Sequence, residues 1–240
     1  MTQGAPNERR AGEPSSRGRA AVTGTSSGIG AAIAQRLLND GWDVIGLDQA
    51  PATLDGPGFY AQRVDLTDST AVAACLSSLR GVKALVHAAG FMRVAPLGDL
   101  VAEDGVGMWR LHVEVAAMLA NAIAPNLPEG GRIVLIGSRT ASGAAGRSQY
   151  AATKAALIGM ARSWAIELAP RGITVNVVAP AATETPMLQD PTRGNVAARV
   201  PPIGRFVRPE EVAALTAFIL SEEAAAITGQ QMVICGGSSL

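Results

Sequence analysis

The stretch RAAVTGTSSGIG, residues 19–30, joins a short apolar run to a glycine-rich loop, and a helical pattern follows it. Glycines let the backbone turn sharply and approach a diphosphate closely, while the start of a helix offers free N–H groups and the positive end of its dipole. A glycine triplet alone is weak evidence, but its place after a strand and before a helix strengthens it. The alternative is a plain glycine-rich turn. The loop predicts a dinucleotide site formed by Gly24, Ser26, Ser27, Gly28, Ile29 and Gly30.

Apolar runs and amphipathic segments alternate along the rest of the chain. The further runs are residues 42–48, 59–65, 82–90, 131–138, 173–180 and 231–237, and the helical segments are 28–40, 68–80, 103–126, 149–169 and 209–221. Several runs are continuously apolar, which is typical of parallel strands covered on both faces. This alternation predicts an α/β protein with a Rossmann-type, doubly wound parallel sheet and helices on both faces.

The composition narrows the classes of protein that fit. The chain has 240 residues, of which 48% are hydrophobic and 17% charged, enough to bury a sizeable core. Basic and acidic residues balance at 20 each, which argues against nucleic acid or a membrane surface as the main partner. No run approaches the roughly 18 apolar residues of a membrane-spanning helix. A globular protein whose main partner is neither nucleic acid nor a membrane is therefore favoured.

The N-terminal stretch and the cysteines suggest the domain boundary and the compartment. Residues 1–18 are polar and lack the apolar core of a secretory signal, so a flexible tail is expected there, followed by one domain over 19–240. Two cysteines, Cys75 and Cys235, cannot form a disulfide framework or a zinc cluster. We expect a reduced, cytoplasmic setting and no bound metal.

Two aspartates end the second and third predicted strands. Asp48 lies 18 residues beyond Gly30, close to the offset of about 20 expected for the acid that binds the ribose 2′-OH. Its carboxylate would repel a 2′-phosphate, and no basic residue is expected nearby, so NAD is predicted as the cofactor and NADP is less favoured. The alternative is that Asp48 only caps the next turn. Asp65 is a candidate for the adenine edge, or equally for the cap of the next helix.

Tyr150 and Lys154 lie four residues apart in SQYAATKAAL, a good helix former, and therefore share one helix face. An ammonium beside a phenol lowers the pKa of the phenol from about 10, which makes Tyr150 a usable proton donor or acceptor. Ser138 ends an apolar strand, where open α/β sheets bind their ligands. The alternative for Ser138 is an ordinary turn residue. The three residues are candidate catalytic groups.

Together these motifs resemble those of the short-chain dehydrogenase/reductase family. The sequence matches the family's TGxxxGxG loop at 23–30 and its Ser–Tyr-x-x-x-Lys set at Ser138, Tyr150 and Lys154. It is similar to the family's NNAG or NAAG pattern at HAAG (87–90), and to its C-terminal signatures at 204–213 and 227–237. The resemblance covers residues 19–240. It implies a seven-stranded parallel Rossmann sheet, NAD(P)-dependent hydride transfer and a homotetramer.

The resemblance also implies a role for each matched residue. Tyr150 would be the general acid/base, Lys154 would lower its pKa and hold the nicotinamide ribose, and Ser138 would position the substrate oxygen. Thr185 would lie near the nicotinamide carboxamide or the diphosphate. The other candidates for cofactor binding are Leu66, Ala88, Ala89, Gly90, Pro180 and Thr183.

Two histidines stand where the family's pattern has asparagine. His112 replaces the Asn that in the family helps to hold a relay water, and His87 replaces the first Asn of the NNAG pattern. We count His112 among the catalytic candidates, because its imidazole would add a group titrating near about 6.5 to the proton relay behind Lys154. The alternative is that both histidines are hydrogen-bonded structural residues.

These features predict an NAD-dependent oxidoreductase that transfers a hydride between the nicotinamide and a small secondary alcohol or ketone. The alternatives are an NADPH-dependent carbonyl reductase and a non-catalytic cofactor-binding protein on the same fold. The complete set of Ser138, Tyr150 and Lys154 favours an enzyme. The helix that carries Tyr150 has more apolar surface than one sheet face can cover, which favours a homotetramer, unless a lid or the C-terminus covers it.

The charge of the substrate and the loop that covers it are less constrained by the sequence. Arg93, Arg139 and Arg147 fall in loops after strands, where a guanidinium can hold a carboxylate or phosphate. A negatively charged substrate is one expectation, and ordinary solvated arginines are the other. Residues 181–208 contain four prolines and are predicted to form a loop that serves as a lid.

Overall fold

The computed structural model describes residues 17–190 and 198–240 of the chain. The predicted tail, residues 1–18, lies outside these ranges apart from its last two residues, so the domain boundary stays a prediction. The predicted lid, residues 181–208, is described except for 191–197, which also lie outside the described residues. Its two ends are held together, because Thr183 forms a bridge with Val207.

The described strands form one parallel sheet of seven, in the order β3-β2-β1-β4-β5-β6-β7. They are β1 Arg19–Thr23, β2 Asp43–Asp48, β3 Phe59–Arg63, β4 Ala84–His87, β5 Arg132–Ile136, β6 Thr174–Pro180 and β7 Gln231–Ile234. The strand order reverses between β1 and β4, and doubly wound sheets bind ligands at the carboxyl ends of the strands at such a point. The predicted fold class is confirmed.

The described residues form six α-helices, which cover both faces of the sheet. They are α1 Gly28–Asn39, α2 Ser69–Cys75, α3 Ala102–Trp109, α4 Val115–Ile123, α5 Ser148–Leu168 and α6 Pro209–Leu220. Asp68 caps α2 by accepting hydrogen bonds from the backbone of Thr70 and Ala71, and Pro209 begins α6. Both helix starts agree with the sequence-based expectation.

One predicted helix is interrupted. The segment predicted over 103–126 consists of α3, a π turn at Arg110–Glu114 and α4. In the π turn the N–H of Val115 donates to Arg110 O, where an α-helix would use Leu111 O. His112 is fully buried within this turn. Hydrophobic periodicity predicts that a helix exists, but it does not reveal the one extra residue that the π turn adds to it.

Each face of the sheet has its own core, because successive side chains of a strand point to opposite faces. In β4, Leu85 belongs to the cluster that includes Leu157 of α5, while Val86 belongs to the cluster that includes Ile33 of α1. Burial on both faces explains why the strands read as continuous apolar runs. Within the described residues, none of the helices has both the length and the apolar character needed to cross a bilayer.

Candidate active site

A cavity of about 970 Å³ opens at the carboxyl ends of the strands. Its walls come from the loops that follow each of the strands β1 to β6, together with α5 and the π turn. The structure brings every residue predicted to bind the cofactor or to take part in catalysis to this one cavity. The lining includes Gly24, Ser26, Ser27, Gly28, Ile29, Gly30, Asp48, Asp65, Leu66, Ala88, Ala89, Gly90, His112, Ser138, Tyr150, Lys154, Pro180, Thr183 and Thr185.

The glycine loop reaches the cavity because two of its glycines leave no room for a side chain. Gly24 has a φ of +76°, and a Cβ there would lie 3.0 Å from the backbone of Ala89. A Cβ on Gly30 would lie 2.1 Å from Gly24 O. Ser27, the N-cap of α1, makes no side-chain hydrogen bond to the first turn, and no acidic residue lies in that turn. The start of α1 therefore suits an anionic diphosphate.

The carboxylate of Asp48 is tied to the glycine loop. Its Oδ2 accepts a hydrogen bond from Ser26 N–H at 2.9 Å, and its Oδ1 accepts one from Ala50 N–H at 2.9 Å. The second bond is the turn contact considered as the alternative, so Asp48 serves both the turn and the loop. Because carboxylate oxygens accept more than one hydrogen bond each, a ribose diol remains a fitting ligand.

The expectation that no basic residue lies near Asp48 was wrong. Arg63 of β3 is the sheet partner of Asp48, and its Nε donates to Gln49 O at 3.0 Å. Its side chain is exposed. The pairing of β2 with β3 brings this guanidinium close, and inspection of the glycine loop alone does not detect it.

Asp65 makes a turn of its own. Its Oδ1 accepts from the backbone N–H and the hydroxyl of Thr67 at 2.8 and 2.7 Å, and these bonds lower the pKa of the Asp65 carboxyl. The cap of α2 is Asp68, so the alternative role of Asp65 as a helix cap was wrong. Asp65 and the buried Leu66 line the cavity beyond Asp48, where the adenine edge was expected.

Ser138, Tyr150 and Lys154 are 7%, 9% and 5% exposed. Ser138 follows β5 and caps a 3₁₀ turn at Arg139–Ser142, with its Oγ accepting from Thr140 N–H at 3.1 Å. Lys154 Nζ lies 5.7 Å from the centre of the Tyr150 ring. The three residues are therefore largely buried, yet they reach the cavity in which a substrate would lie.

Burial changes the acid–base behaviour of Lys154. Its Nζ donates to Ile136 O at 2.8 Å, within the protein interior. Desolvation disfavours the ammonium form and lowers the pKa of Lys154 to about 7. The group is thus poised to change its protonation state near neutral pH, which an exposed lysine is not.

His87 is buried at the end of β4, with both ring nitrogens bonded. Its Nε2 donates to Leu111 O at 3.0 Å, because a carbonyl can only accept. Its Nδ1 then accepts from Thr23 Oγ at 3.1 Å. The same hydroxyl oxygen accepts from the N–H groups of Ala88 and Ala89. Burial, followed by the charge on Lys154, lowers the pKa of His87 to about 3, so the ring is neutral.

His112 is bonded in the same complete way. Its Nε2 accepts from Phe91 N–H at 3.2 Å, so Nδ1 carries the proton and donates to Thr153 Oγ at 2.8 Å. Thr153 donates in turn to Tyr150 O. Burial, followed by the charge on Lys154, lowers the pKa of His112 well below its usual value. The expectation that it titrates near about 6.5 was wrong, and its contacts are those of the hydrogen-bonded alternative.

An apolar wall was missed by the sequence reasoning. Phe91, Met92 and Met187 line the cavity, and Met92 packs with Tyr150 in a small core cluster. No sequence motif joins these three residues, and only the tertiary fold brings them together. Thr185 lies over the glycine loop, since a Cβ on Gly28 would lie 3.1 Å from its methyl group. Met187 and Thr185 both belong to the predicted lid.

Of the three candidate arginines, Arg139 and Arg147 line the cavity, whereas Arg93 is not among the described residues that do. Arg93 lies between the carboxylates of Asp104 and Asp190, at 3.8 and 3.6 Å. Its charge therefore lies near two carboxylates, and its contact with a substrate stays a prediction. Arg139 reaches the cavity because the backbone turns into a 3₁₀ helix after Ser138 instead of continuing as a strand.

A glycine loop and a carboxylate at the end of the second strand around one cavity, with acid–base groups in its wall, are typical of enzymes that move a hydride to or from a nicotinamide. The class is a nicotinamide-dependent oxidoreductase with a Rossmann fold. A family model described as Enoyl-(Acyl carrier protein) reductase matches residues 24–239. The protein belongs to the short-chain dehydrogenase/reductase family, as its motifs indicated, and is an oxidoreductase of carbonyl or hydroxyl groups.

Individual relatives agree over nearly the whole chain. The 3-oxoacyl-[acyl-carrier-protein] reductase FabG of Escherichia coli (strain K12) is 38% identical over 234 residues, 91% of this chain and 96% of the relative. A short-chain dehydrogenase from Burkholderia cenocepacia J2315, solved in complex with NADP, is 37% identical with a TM-score of 0.83, covering 92% and 98% of the two chains. A 3-ketoacyl-(acyl-carrier-protein) reductase from Brucella melitensis, complexed with NADH, has the same TM-score and coverage at 26% identity.

Proposed function

We propose that this protein interconverts a small secondary alcohol and its ketone with a nicotinamide cofactor. The observation that carries the proposal is the burial of Tyr150 and Lys154 on neighbouring turns of α5, with Ser138 in the same cavity wall. The other reading is a cofactor-binding protein without catalysis. The enzyme is favoured, because a buried lysine with a lowered pKa on the same helix as a buried tyrosine, both lining one cavity, is typical of catalytic sites.

The proposed roles follow from position. Tyr150 would protonate the carbonyl oxygen in reduction, or accept the hydroxyl proton in oxidation. Ser138 would hold the same oxygen. Lys154 would bind the nicotinamide ribose and favour the phenolate of Tyr150. The nicotinamide supplies or receives the hydride when it is bound.

NAD(H) is the proposed cofactor. The carboxylate of Asp48, held by the glycine loop, would accept hydrogen bonds from the ribose hydroxyls and repel a 2′-phosphate. Arg63 is the opposing feature, and solved relatives carry NADP as well as NADH. Asp48 outweighs Arg63 here, because Asp48 lines the cavity while Arg63 is exposed and already bonded to Gln49 O.

The cavity suggests the character of the substrate. Phe91, Met92 and Met187 would pack against an apolar part, and Arg139 and Arg147 would favour an anionic group. FabG and the Brucella relative are reductases of 3-oxoacyl-acyl-carrier-protein, which favours 3-oxoacyl thioesters as a second substrate class.

A substrate screen tests the proposal. Purified protein with NAD+ or NADH is supplied with polyols, sugars, hydroxy acids, cyclic alcohols and 3-oxoacyl or 3-hydroxyacyl thioesters, and NADH absorbance is followed. Tyr150→Phe protein, prepared in parallel, is the control. Turnover that is lost in the control is the expected result. Tight NADH binding without turnover on any compound would favour the non-catalytic reading.

A cytoplasmic homotetramer is the proposed state. Ile166 on α5 is 78% exposed, and Val106 and Trp109 on α3 are 67% and 43% exposed, so apolar surface remains for a second copy to cover. Cys75 and Cys235 are free thiols, which suits a reducing compartment. Light scattering that gives the mass of one subunit at micromolar concentration would contradict the assembly.

A further inference from the structure

The π turn leaves one carbonyl without its usual helical partner, and His87 takes that place. In an α-helix Leu111 O would accept from Val115 N–H, but Val115 N–H donates to Arg110 O. Leu111 O accepts instead from His87 Nε2 at 3.0 Å. Because a buried carbonyl needs a partner, His87 stabilises the turn that carries His112.

The turn directs His112 toward the segment that follows β4. Its Nε2 accepts from Phe91 N–H, and a Cβ on Gly90 would lie 2.8 Å from the same nitrogen and 3.7 Å from Lys154 Nζ. Gly90 therefore lies in a gap between the imidazole and Lys154 that no side chain can enter. The imidazole sets how closely this wall of the cavity approaches Lys154.

The other nitrogen of His112 acts on α5. Nδ1 donates to Thr153 Oγ at 2.8 Å, and Thr153 donates to Tyr150 O at 2.8 Å. The His112 and Tyr150 rings also make a T-shaped contact, with 5.6 Å between their centres. One side chain thus contacts both the Gly90–Phe91 segment in the cavity wall and the helical turn of Tyr150.

We propose that His87 and His112 are positioning residues, which hold the Gly90–Phe91 wall and the Tyr150–Lys154 turn at a fixed separation. His112 acts on the wall through Nε2 and on α5 through Nδ1, while His87 keeps the π turn that presents it. The inference rests on the proposed function, since it concerns the cofactor and the reaction of the same site.

The arrangement requires neutral rings. A proton added to His112 Nε2 would face the Phe91 N–H, donor against donor, and a proton added to His87 Nδ1 would force the Thr23 hydroxyl to turn. Lys154 adds charge repulsion to both rings. Each histidine therefore has one productive tautomer, set by its partners.

Two substitutions at His112 separate its two contacts. The amide of Asn reaches the position of Nδ1, so His112→Asn keeps a partner for Thr153 and loses Phe91. The amide of Gln reaches the position of Nε2, so His112→Gln keeps Phe91 and loses Thr153. In His112→Asn we expect the Kd for NADH to rise about tenfold while kcat stays within about threefold of wild type. In His112→Gln we expect kcat to fall about tenfold while the Kd for NADH stays within about threefold.

His87 and Thr153 supply the matched variants. His87→Gln keeps an N–H for Leu111 O and should retain most of both properties, whereas His87→Leu should lose both. Thr153→Val should resemble His112→Gln, and combining the two should add little beyond either alone. Circular dichroism and urea unfolding of each variant show that it is folded before its constants are compared.

The positioning role is tested by whether the Kd for NADH and kcat change separately in the two His112 variants. Proportional losses in His112→Asn and His112→Gln that follow only a loss of stability would overturn the positioning role. If no compound is turned over by the wild-type protein, the proposed function fails, and the affinity measurement alone remains decisive. In that case a raised Kd in His112→Asn but not in His112→Gln supports the contact to Phe91, and equal values overturn it.

Discussion

The glycine-loop end of the cavity and its catalytic end are held in place by different kinds of contact. At the first, backbone N–H groups and the carboxylate of Asp48 are joined by short hydrogen bonds between loops at adjacent strand ends. At the second, the turn of Tyr150 depends on buried side chains from β4, the π turn and α5, among them His87, His112 and Thr153. The first end depends on a few individual positions, the close-packed glycines and Asp48, whereas the side chains of the second end depend on one another as a network.

The largest loss of activity is expected from a substitution at the catalytic end. Tyr150→Phe removes the hydroxyl that moves the proton, so kcat should fall by about 10²–10⁴-fold while NADH affinity stays close to wild type. Steady-state kinetics and an NADH fluorescence titration measure the two quantities. A variant that keeps a tenth of the wild-type kcat would show that another group moves the proton.

A second prediction uses pH to separate the ends. The pKa of His87 is 6.5 when unfolded and about 3 when folded, so the unfolded chain binds the proton first as pH falls. The stability from the neutral ring is complete above pH 6.5 and is lost toward pH 3. The loss by pH 4 should be roughly 3 kcal/mol, and His112 adds to it in the same direction.

Urea unfolding of the wild type and of His87→Gln at a series of pH values checks this. Carboxyl groups elsewhere titrate equally in both proteins, so the difference between the curves isolates His87. The variant should lose less stability on acidification. Parallel curves would mean that His87 does not stay neutral in the folded protein.

Substitutions at the glycine-loop end should change the relative affinity for NAD and NADP. Asp48→Asn removes the charge that repels a 2′-phosphate, so the preference for NAD over NADP should shrink by several-fold to a few hundredfold, on the order of 1–3 kcal/mol. Arg63→Gln should act in the opposite direction, because Arg63 is the nearby group that could meet the phosphate. Isothermal titration with both cofactors measures the ratio. Equal affinities in the wild type would refute the predicted preference.

The smallest effect is expected from the arginines near the catalytic end. If the substrate is anionic, Arg139→Ala should raise its KM by about tenfold and leave NAD+ affinity unchanged. Arg36→Ala is the matched control, because Arg36 lies on the exposed face of α1 and pairs with Asp40. An uncharged best substrate, with a KM indifferent to Arg139→Ala and to salt, would make Arg139 an ordinary surface residue.

The same contrast explains what could be predicted from the sequence. The order of strands and helices, the glycine loop and the placement of Asp48, Ser138, Tyr150 and Lys154 follow from local patterns, because each depends on residues close together in the chain. Arg63 beside Asp48 depends on strand pairing, which local reading did not use.

The roles of the histidines could not be predicted because their partners are distant in sequence. His112 is 41 residues from Thr153 and 21 from Phe91, and His87 is 24 from Leu111. Their pKa values depend on burial, which a motif does not report. The extra residue of the π turn was hidden for a similar reason, since the apolar pattern continues through it.

The π turn also bears on how the enzyme can evolve. A chain without Leu111 could join α3 and α4 into one unbroken α-helix, with each interior carbonyl paired inside it. Such a helix would gain paired carbonyls, but His87 would be left as a buried donor without its acceptor and His112 would lose its orientation. The extra residue and the two histidines are therefore expected to be kept or lost together.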